Sequence, residues 1–322
     1  MATYKGIKGF KVQSLASDPT LVEGQVWYNT TGNVLKYQIS TAGAWASGGR
    51  MIRNGVGWSG SFGTQTAAIN ATGYDAPVPP VGVGCEEYDG TSWSEVNNVN
   101  LERYGLAGAG TLTAGIIFGG ISPPLTGSTE TYNGTTWTEV SPLVVARGYI
   151  NGSTAGSTTA ALCIGGSPTG GNGVLNESWN GTSWTEVGDL NTPRRSGGSG
   201  GTQTDAIMAT GSDSPTCELW DGSSWTEVAD VNNVRTYASG CGATSALAII
   251  YGGRPPNSGQ TVTEQWDGTS WTEVAAMATT AFGRSSIGTS TLALAAGGVG
   301  QPAGATEEWN GAPLVVKTVT TS

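Results

Sequence analysis

Six times along 322 residues the same short phrase returns: Glu, any residue, Tyr or Trp, Asp or Asn, then Gly. It begins at Glu86, Glu130, Glu177, Glu218, Glu264 and Glu307, in steps of 44, 47, 41, 46 and 43 residues. In the first five copies Trp-Ser/Thr-Glu-Val follows, anchored by Trp93, Trp137, Trp184, Trp225 and Trp271. That spacing is the period of one four-stranded propeller blade, not of a helical or leucine-rich repeat.

Each unit reads as four short strands, A to D, joined as a meander. In the second unit a Gly/Ala-rich strand begins near Arg103 and turns at Gly110-Thr111. Ala114 to Phe118 then runs into Gly119-Gly120, and after a proline-bearing loop Thr129 to Tyr132 leads through Asn133-Gly134 to Trp137. An Asn-Gly or Asp-Gly pair supplies the positive φ angles that a tight C–D hairpin needs. Asp89, Asn133, Asn180, Asp221, Asp267 and Asn310 fill that slot. A second marker, a Gly after strand B at Gly73, Gly119, Gly165, Gly211, Gly252 and Gly297, gives the same six units. The expected fold is all-β: a six-bladed propeller of four-stranded antiparallel blades, with a small N-terminal β-rich extension. The divisions expected are 1–50 for the extension and 51–322 for the propeller, with blades at about 51–96, 97–140, 141–187, 188–228, 229–274 and 275–322. Small residues in strands A and B, such as Ala109, Ala160 and Ala206, suit the crowded centre of a ring. The Trp of strand D fits the wider gap between outer parts of adjacent blades.

The last copy departs from the pattern. After Trp309-Asn310-Gly311 come Ala312-Pro313, so Leu314 stands in the Trp slot, and Leu314 to Val319 alternates as a sixth strand D would. Each blade then owns four strands in chain order, and the ring closes without exchange of a terminal strand, or residues 1–50 cover the seam. The arginine opening strand A falls seven residues after the preceding strand-D Val at Arg103, Arg147, Arg194 and Arg235, but ten after it at Arg284.

This order of Arg, strand, Gly-Gly, Glu-x-Tyr/Trp and Trp resembles the kelch repeat over residues 51–322. The hairpin also resembles the Asp-box of sialidase-like propellers, although Asp89-Gly-Thr-Ser-Trp93 is one residue shorter. Gly24-Gln-Val-Trp27 through Tyr37, followed by Ala44-Trp45, resembles the leader of tail-fibre and other virion proteins of bacteriophages. Together the resemblances imply a phage virion protein, and they make Trp27, Tyr28, Tyr37 and Trp45 the candidate docking residues. The implied partners are other virion subunits, with a homo-oligomer inside an assembly, and a host cell-surface glycan or protein. A structural capsid or tail decoration protein is the alternative, and a glycan-degrading enzyme a second one.

Charge bears on partners. Residues 1–50 sum to +3 and the remainder to −13, for a net −10, and an acidic body is a poor nucleic-acid binder because phosphate neutralisation needs clustered Lys or Arg. No apolar core of a signal peptide follows Met1 and no run is long enough to span a bilayer, so membrane insertion and export are not expected; assembly in the host cytoplasm into a virion is what the resemblance of the leader implies. Cys85 and Cys217 occupy the same slot in the first and fourth repeats, on opposite sides of a six-bladed ring and too far apart for a disulfide. With Cys163 and Cys241 they read as small buried hydrophobes.

Catalysis finds little support. The chain has no histidine, which removes Ser-His and Cys-His nucleophile pairs and the usual His metal ligands. Copper oxidases of the galactose-oxidase kind use a kelch-type propeller but need histidine ligands. Once-per-blade glutamates point to a structural task, accepting hydrogen bonds from backbone or Arg. No enzyme, cofactor or metal site is expected.

In a meander, the A–B and C–D turns lie on one face, and the B–C and D–A loops on the other. The C–D turns are nearly invariant, whereas the B–C loops differ, and function on a rigid scaffold sits in such loops. The candidate binding residues are therefore Tyr74, Pro79, Pro123, Asn172, Asp213, Arg254, Asn257 and Gln301.

Overall fold

The computed structural model describes residues 12–19, 25–40, 42–54, 56–75, 82–168, 173–254, 259–311 and 314–319. They hold strands and turns, and among them no helix is long and apolar enough to cross a membrane. The chain divides into two compact units: residues 44–310, and residues 1–43 with 311–322.

The first is a six-bladed propeller. Blade one is built from Gly60–Thr64, Ala67–Ala71, Cys85–Tyr88 and Trp93–Val96, and blade two from Ala107–Thr111, Ala114–Phe118, Thr129–Tyr132 and Trp137–Val140. Blades three to five repeat this antiparallel A-B-C-D order, ending at Trp184–Val187, Trp225–Val228 and Trp271–Val274. Each core cluster straddles two blades; one joins Ile116 and Phe118 of blade two to Cys163 and Trp184 of blade three. The strand-D indoles reach across the joints as expected: Trp93 Nε1 donates to Thr306 Oγ1 at 3.0 Å and Trp184 Nε1 to Thr129 Oγ1 at 3.0 Å. Near the axis only glycine fits where innermost strands meet: a Cβ on Gly200 would lie 2.6 Å from the Gly242 nitrogen.

Blade six corrects the sequence reading. Its strands are Ile287–Gly288, Leu292–Ala296 and Thr306–Asn310, and the fourth is Ala44–Ser47 from the N-terminal side. Trp45 lies opposite Trp309 and fills the strand-D slot, its Nε1 donating to Thr263 Oγ1 at 2.9 Å and its ring 5.1 Å from that of Tyr251. Leu314–Thr318, expected there, instead pairs with Val34–Ser40. The propeller thus begins at residue 44, not 51, and ends at 310, not 322. Trp45, one of the docking candidates, completes a blade and so helps to close the ring.

The recurring glutamate does the same work in every blade. Its buried carboxylate accepts two successive backbone N–H groups of the D–A loop entering its own blade: Ile52 and Arg53 for Glu86, Val144 and Val145 for Glu177, Ala278 and Thr279 for Glu307. In blade two Glu130 receives the Asn100 N–H at 2.7 Å and the Arg103 guanidinium at 2.6 Å. Arg147–Glu177, Arg194–Glu218, Arg235–Glu264 and Arg284–Glu307 repeat the pair. The later position of Arg284 is accommodated by the Thr279 hydroxyl, which bonds both Arg284 and Glu307.

The glycine marker shifts by one in two blades. Gly119, Gly165, Gly252 and Gly297 have φ of 57–65°, whereas Gly73 and Gly211, at 117° and 96°, align with Gly120 and Gly166. Thr72 and Thr210 take the first slot with φ of 52° and 54°, and their hydroxyls bond the carbonyls of Arg103 and Arg235.

All four cysteines are free and buried. Burial pushes the Cys85 thiol up to about 11 and that of Cys217 up to about 12. Ellman's reagent at pH 8 is therefore expected to detect no thiol in the native protein and four after denaturation, since the thiolate is the reactive form. One native equivalent would show a cysteine on the surface.

In the second unit Gln13–Leu15, Val26–Asn29, Val34–Ser40 and Leu314–Thr318 form one sheet in that order. Trp27 is fully buried and donates from Nε1 to Asp18 at 3.3 Å; Asp18 also binds Asn29 and pairs with Lys36 at 2.9 Å. The neighbouring Tyr28 is exposed and Tyr37 half-buried. Of the docking candidates, Trp27 is thus a core residue, and Tyr28 and Tyr37 have accessible surface.

Candidate binding site on the loop face

The B–C and D–A loops are knitted together on one face of the propeller. Val56–Gly57 pairs with Tyr74–Asp75, Arg147–Gly148 with Ser167–Pro168, and Thr280–Phe282 with Val299–Gln301. Bridges Tyr104 to Ile121 and Thr236 to Arg254 serve blades two and five, and Ser212 bonds Arg195 in blade four.

Just past each pairing the chain turns through a left-handed residue toward the axis. That residue is Trp58, Gly105, Tyr149, Ser196, Tyr237 or Gly283, with φ between 52° and 66°. Backbone bonds link these residues from blade to blade: Gly105 N–H to Trp58 O at 2.7 Å, Trp58 N–H to Gly283 O at 2.8 Å, Gly283 N–H to Tyr237 O at 2.9 Å, Ser196 N–H to Tyr149 O at 3.1 Å. A left-handed conformation costs a non-glycine residue roughly 1–2 kcal/mol. Blades two and six use glycine there, and their aromatic ring, Tyr104 or Phe282, sits one residue earlier. Blades one, three and five hold a bulky aromatic in the strained slot itself, an arrangement typical of functional positions.

The rings converge. Trp58 is central, with centroids 5.7 Å from Tyr74, 6.4 Å from Tyr104, 6.0 Å from Tyr149, 5.3 Å from Tyr237 and 5.9 Å from Phe282. All six side chains are half-buried, leaving accessible surface at the loop face. Two arginines lie over them: Arg254 is 4.9 Å from the centroids of both Tyr237 and Phe282, and Arg195 is 5.7 Å from that of Tyr149. Burial, with the phenols of Tyr104 and Tyr237 alongside, pushes the Tyr149 hydroxyl up to about 12, so it stays neutral. Blade four contributes no ring; Ser196 occupies its slot. Beneath the cluster a cavity of about 60 Å³ is lined by Trp58, Tyr149, Ser196, Tyr237 and Ser286 among others.

Chemically this surface offers aromatic faces that can stack, guanidiniums that can donate to anions or hydroxyls, and hydroxyl groups at the rim. Among the described residues no group of three or more His, Cys, Asp and Glu is arranged to hold a metal.

Of the residues expected from the sequence, Tyr74 and Arg254 belong to the cluster. Pro123 and Asp213 are exposed on their B–C loops and take no part in it, and Gln301 lies in the strand pairing with Thr280. Pro79, Asn172 and Asn257 lie outside the described residues. Trp58, Tyr104, Tyr149, Tyr237, Phe282 and Arg195 were not anticipated. The signal for three of them is an aromatic one or two residues after the strand-A arginine, in Arg103-Tyr104, Arg147-Gly148-Tyr149 and Arg235-Thr236-Tyr237.

No protein-family model and no curated protein matches the chain. Among 323 matching solved chains is that of the structure of YjhT, a β-propeller, with a TM-score of 0.62, 11% sequence identity, and alignment over 83% of this chain and 99% of that one. The likeness is one of fold.

Proposed function

We propose that the protein is a receptor-binding component of a bacteriophage virion, in which the loop face of a kelch-like propeller recognises a glycan on the host surface. The observation that carries the binding reading is the convergence of five aromatic rings on Trp58 from four other blades and its own, three of the six rings on backbone that favours glycine. Packing alone would not call for them, since glycine serves the same turn in two blades. Half-buried aromatic faces beside arginine suit the alternating apolar faces and hydroxyl edges of sugars. The virion assignment rests on the resemblance of the leader, and Tyr28 and Tyr37 are the docking residues that retain accessible surface.

The test is a glycan array probed with the full-length chain. Retention of at least one glycan, abolished in the Tyr149→Ala, Tyr237→Ala double variant that still unfolds cooperatively, is expected; no retained glycan overturns the binding reading. Virion incorporation of Tyr28→Asp tests docking separately, and undiminished incorporation counts against it.

A further inference from the structure

We infer that the ligand of this face is an anionic saccharide, its carboxylate or sulfate held by Arg195 where the ring of aromatics opens at blade four. The inference rests on the glycan-binding reading above and narrows its ligand class.

Three observations carry it. The first is a contrast between adjacent residues. Arg194 is buried and paired with Glu218, as the strand-A arginines of four other blades are with their glutamates. Arg195 is exposed and, among the described residues, has no carboxylate partner; its Nη1 donates to Ser167 Oγ at 2.7 Å. Asp213, on the B–C loop of the same blade, forms no ion pair with it. Arg254, half-buried over Tyr237 and Phe282, likewise has no carboxylate partner among the described residues, and none of them hydrogen-bonds its Nε. In a chain with 24 acidic and 14 basic residues, two uncompensated guanidiniums on one face are complementary to an anion rather than to the protein itself.

The second is space. Arg195 lines a depression of about 250 Å³ whose other walls are Gly166, Ser167, Gly173, Pro193, Arg194 and Ser212. Gly166, Ser167, Gly173 and Ser212 make most of the wall small or hydroxylic, and the Arg195 guanidinium is also 5.7 Å from the Tyr149 ring centroid. A pyranose ring against Tyr149 therefore brings a ring substituent into reach of a planar donor suited to two-point contact with carboxylate or sulfate.

The third is Ser196, which stands where the other blades supply a ring. It is 8% exposed, and among the described residues its Oγ has no hydrogen-bond partner although it borders the cavity beneath the cluster. A buried hydroxyl without a partner costs free energy unless a ligand or solvent group completes it.

The experiment is titration of the full-length protein with polygalacturonate, dextran sulfate and neutral dextran at low and high salt. Binding of polygalacturonate or dextran sulfate but not dextran is expected, which also tells carboxylate from sulfate. Arg195→Gln, at an exposed position, is expected to weaken it about tenfold or more, the order of one charge-assisted pair, and Arg195→Lys to restore part of the loss. Arg50→Gln, at another exposed arginine of the propeller, is expected to bind as the parent does. An equal loss with Arg50→Gln would reduce the effect to net charge and overturn the inference. Retention of neutral glycans unaffected by Arg195→Gln overturns the inference and leaves the glycan-binding reading intact, whereas failure to bind any saccharide, neutral or anionic, removes both.

Discussion

A chain beginning at residue 51 is expected to lose the cooperative unfolding transition of the full-length protein and to aggregate. The deletion removes the outer strand of blade six, the four residue pairs from Ala44–Asn310 to Ser47–Glu307, and the seam bond from Gly48 N–H to Thr306 O. It also exposes Thr306–Asn310 as an unpaired edge, which invites association with another chain. Trp45→Ala keeps the strand but deletes the ring that meets Tyr251 and Trp309 and the bond to Thr263. Large-to-small changes at aromatic sites cost about 3–5 kcal/mol when fully buried. Trp45 is half-buried, so about 3 kcal/mol is expected from urea unfolding followed by circular dichroism. A residue 51–322 chain with the melting temperature of the whole would show that the closure has no energetic weight.

Glu130→Ala is the second large effect. The carboxylate and Arg103 are both fully buried; Oε1 takes the Arg103 guanidinium while Oε2 accepts the Asn100 N–H and side-chain amide. Removing it strands a guanidinium away from water and frees the D–A loop at once. Breaking one side of a buried pair costs about 3–5 kcal/mol, a large share of the 5–15 kcal/mol of a typical domain. Glu139, whose position holds glutamate in five of the six strand-D copies but is exposed, should change stability by no more than about 0.5 kcal/mol on replacement by alanine. Chemical denaturation of both variants decides the matter, and equal costs would refute the clamp.

The blades were legible because their markers are local. Asn-Gly or Asp-Gly and the following Trp specify a hairpin within about ten residues, and a period near 45 multiplies the signal sixfold. The ring closure was not legible because strand Ala44–Ser47 lies more than 250 residues from its partner and lacks the Glu-Val that ends the other copies. Leu314 to Val319, meanwhile, alternates well enough to stand as a decoy. Pairing in a sheet depends on which backbone arrives alongside, and alternation alone does not name the partner. The functional face was partly legible: sorting loops by topology led to Tyr74 and Arg254. The rest of the cluster was hidden because its rings come from the D–A side and shift by one residue between blades, Tyr104 and Phe282 preceding the left-handed position that Trp58, Tyr149 and Tyr237 occupy. Strict periodicity, the means of finding the fold, passes over residues that are out of phase.

The position of the ring closure has a mechanical consequence. The chain enters the propeller at Ala44 and leaves it at Asn310, and these two residues face each other at one end of the same ladder. Tension drawn equally through residues 43 and 311 pulls both strands the same way, so their mutual bonds bear little of it and the load passes to the ladder between Thr306–Asn310 and Leu292–Ala296 and to the anchored indole of Trp45. Tension that drags the two ends apart instead opens the ladder one bond at a time from Ala44. The molecule should be tough to a tug shared by both strands and weak to one that separates them, a directional strength set by connectivity and independent of how stable the blades are.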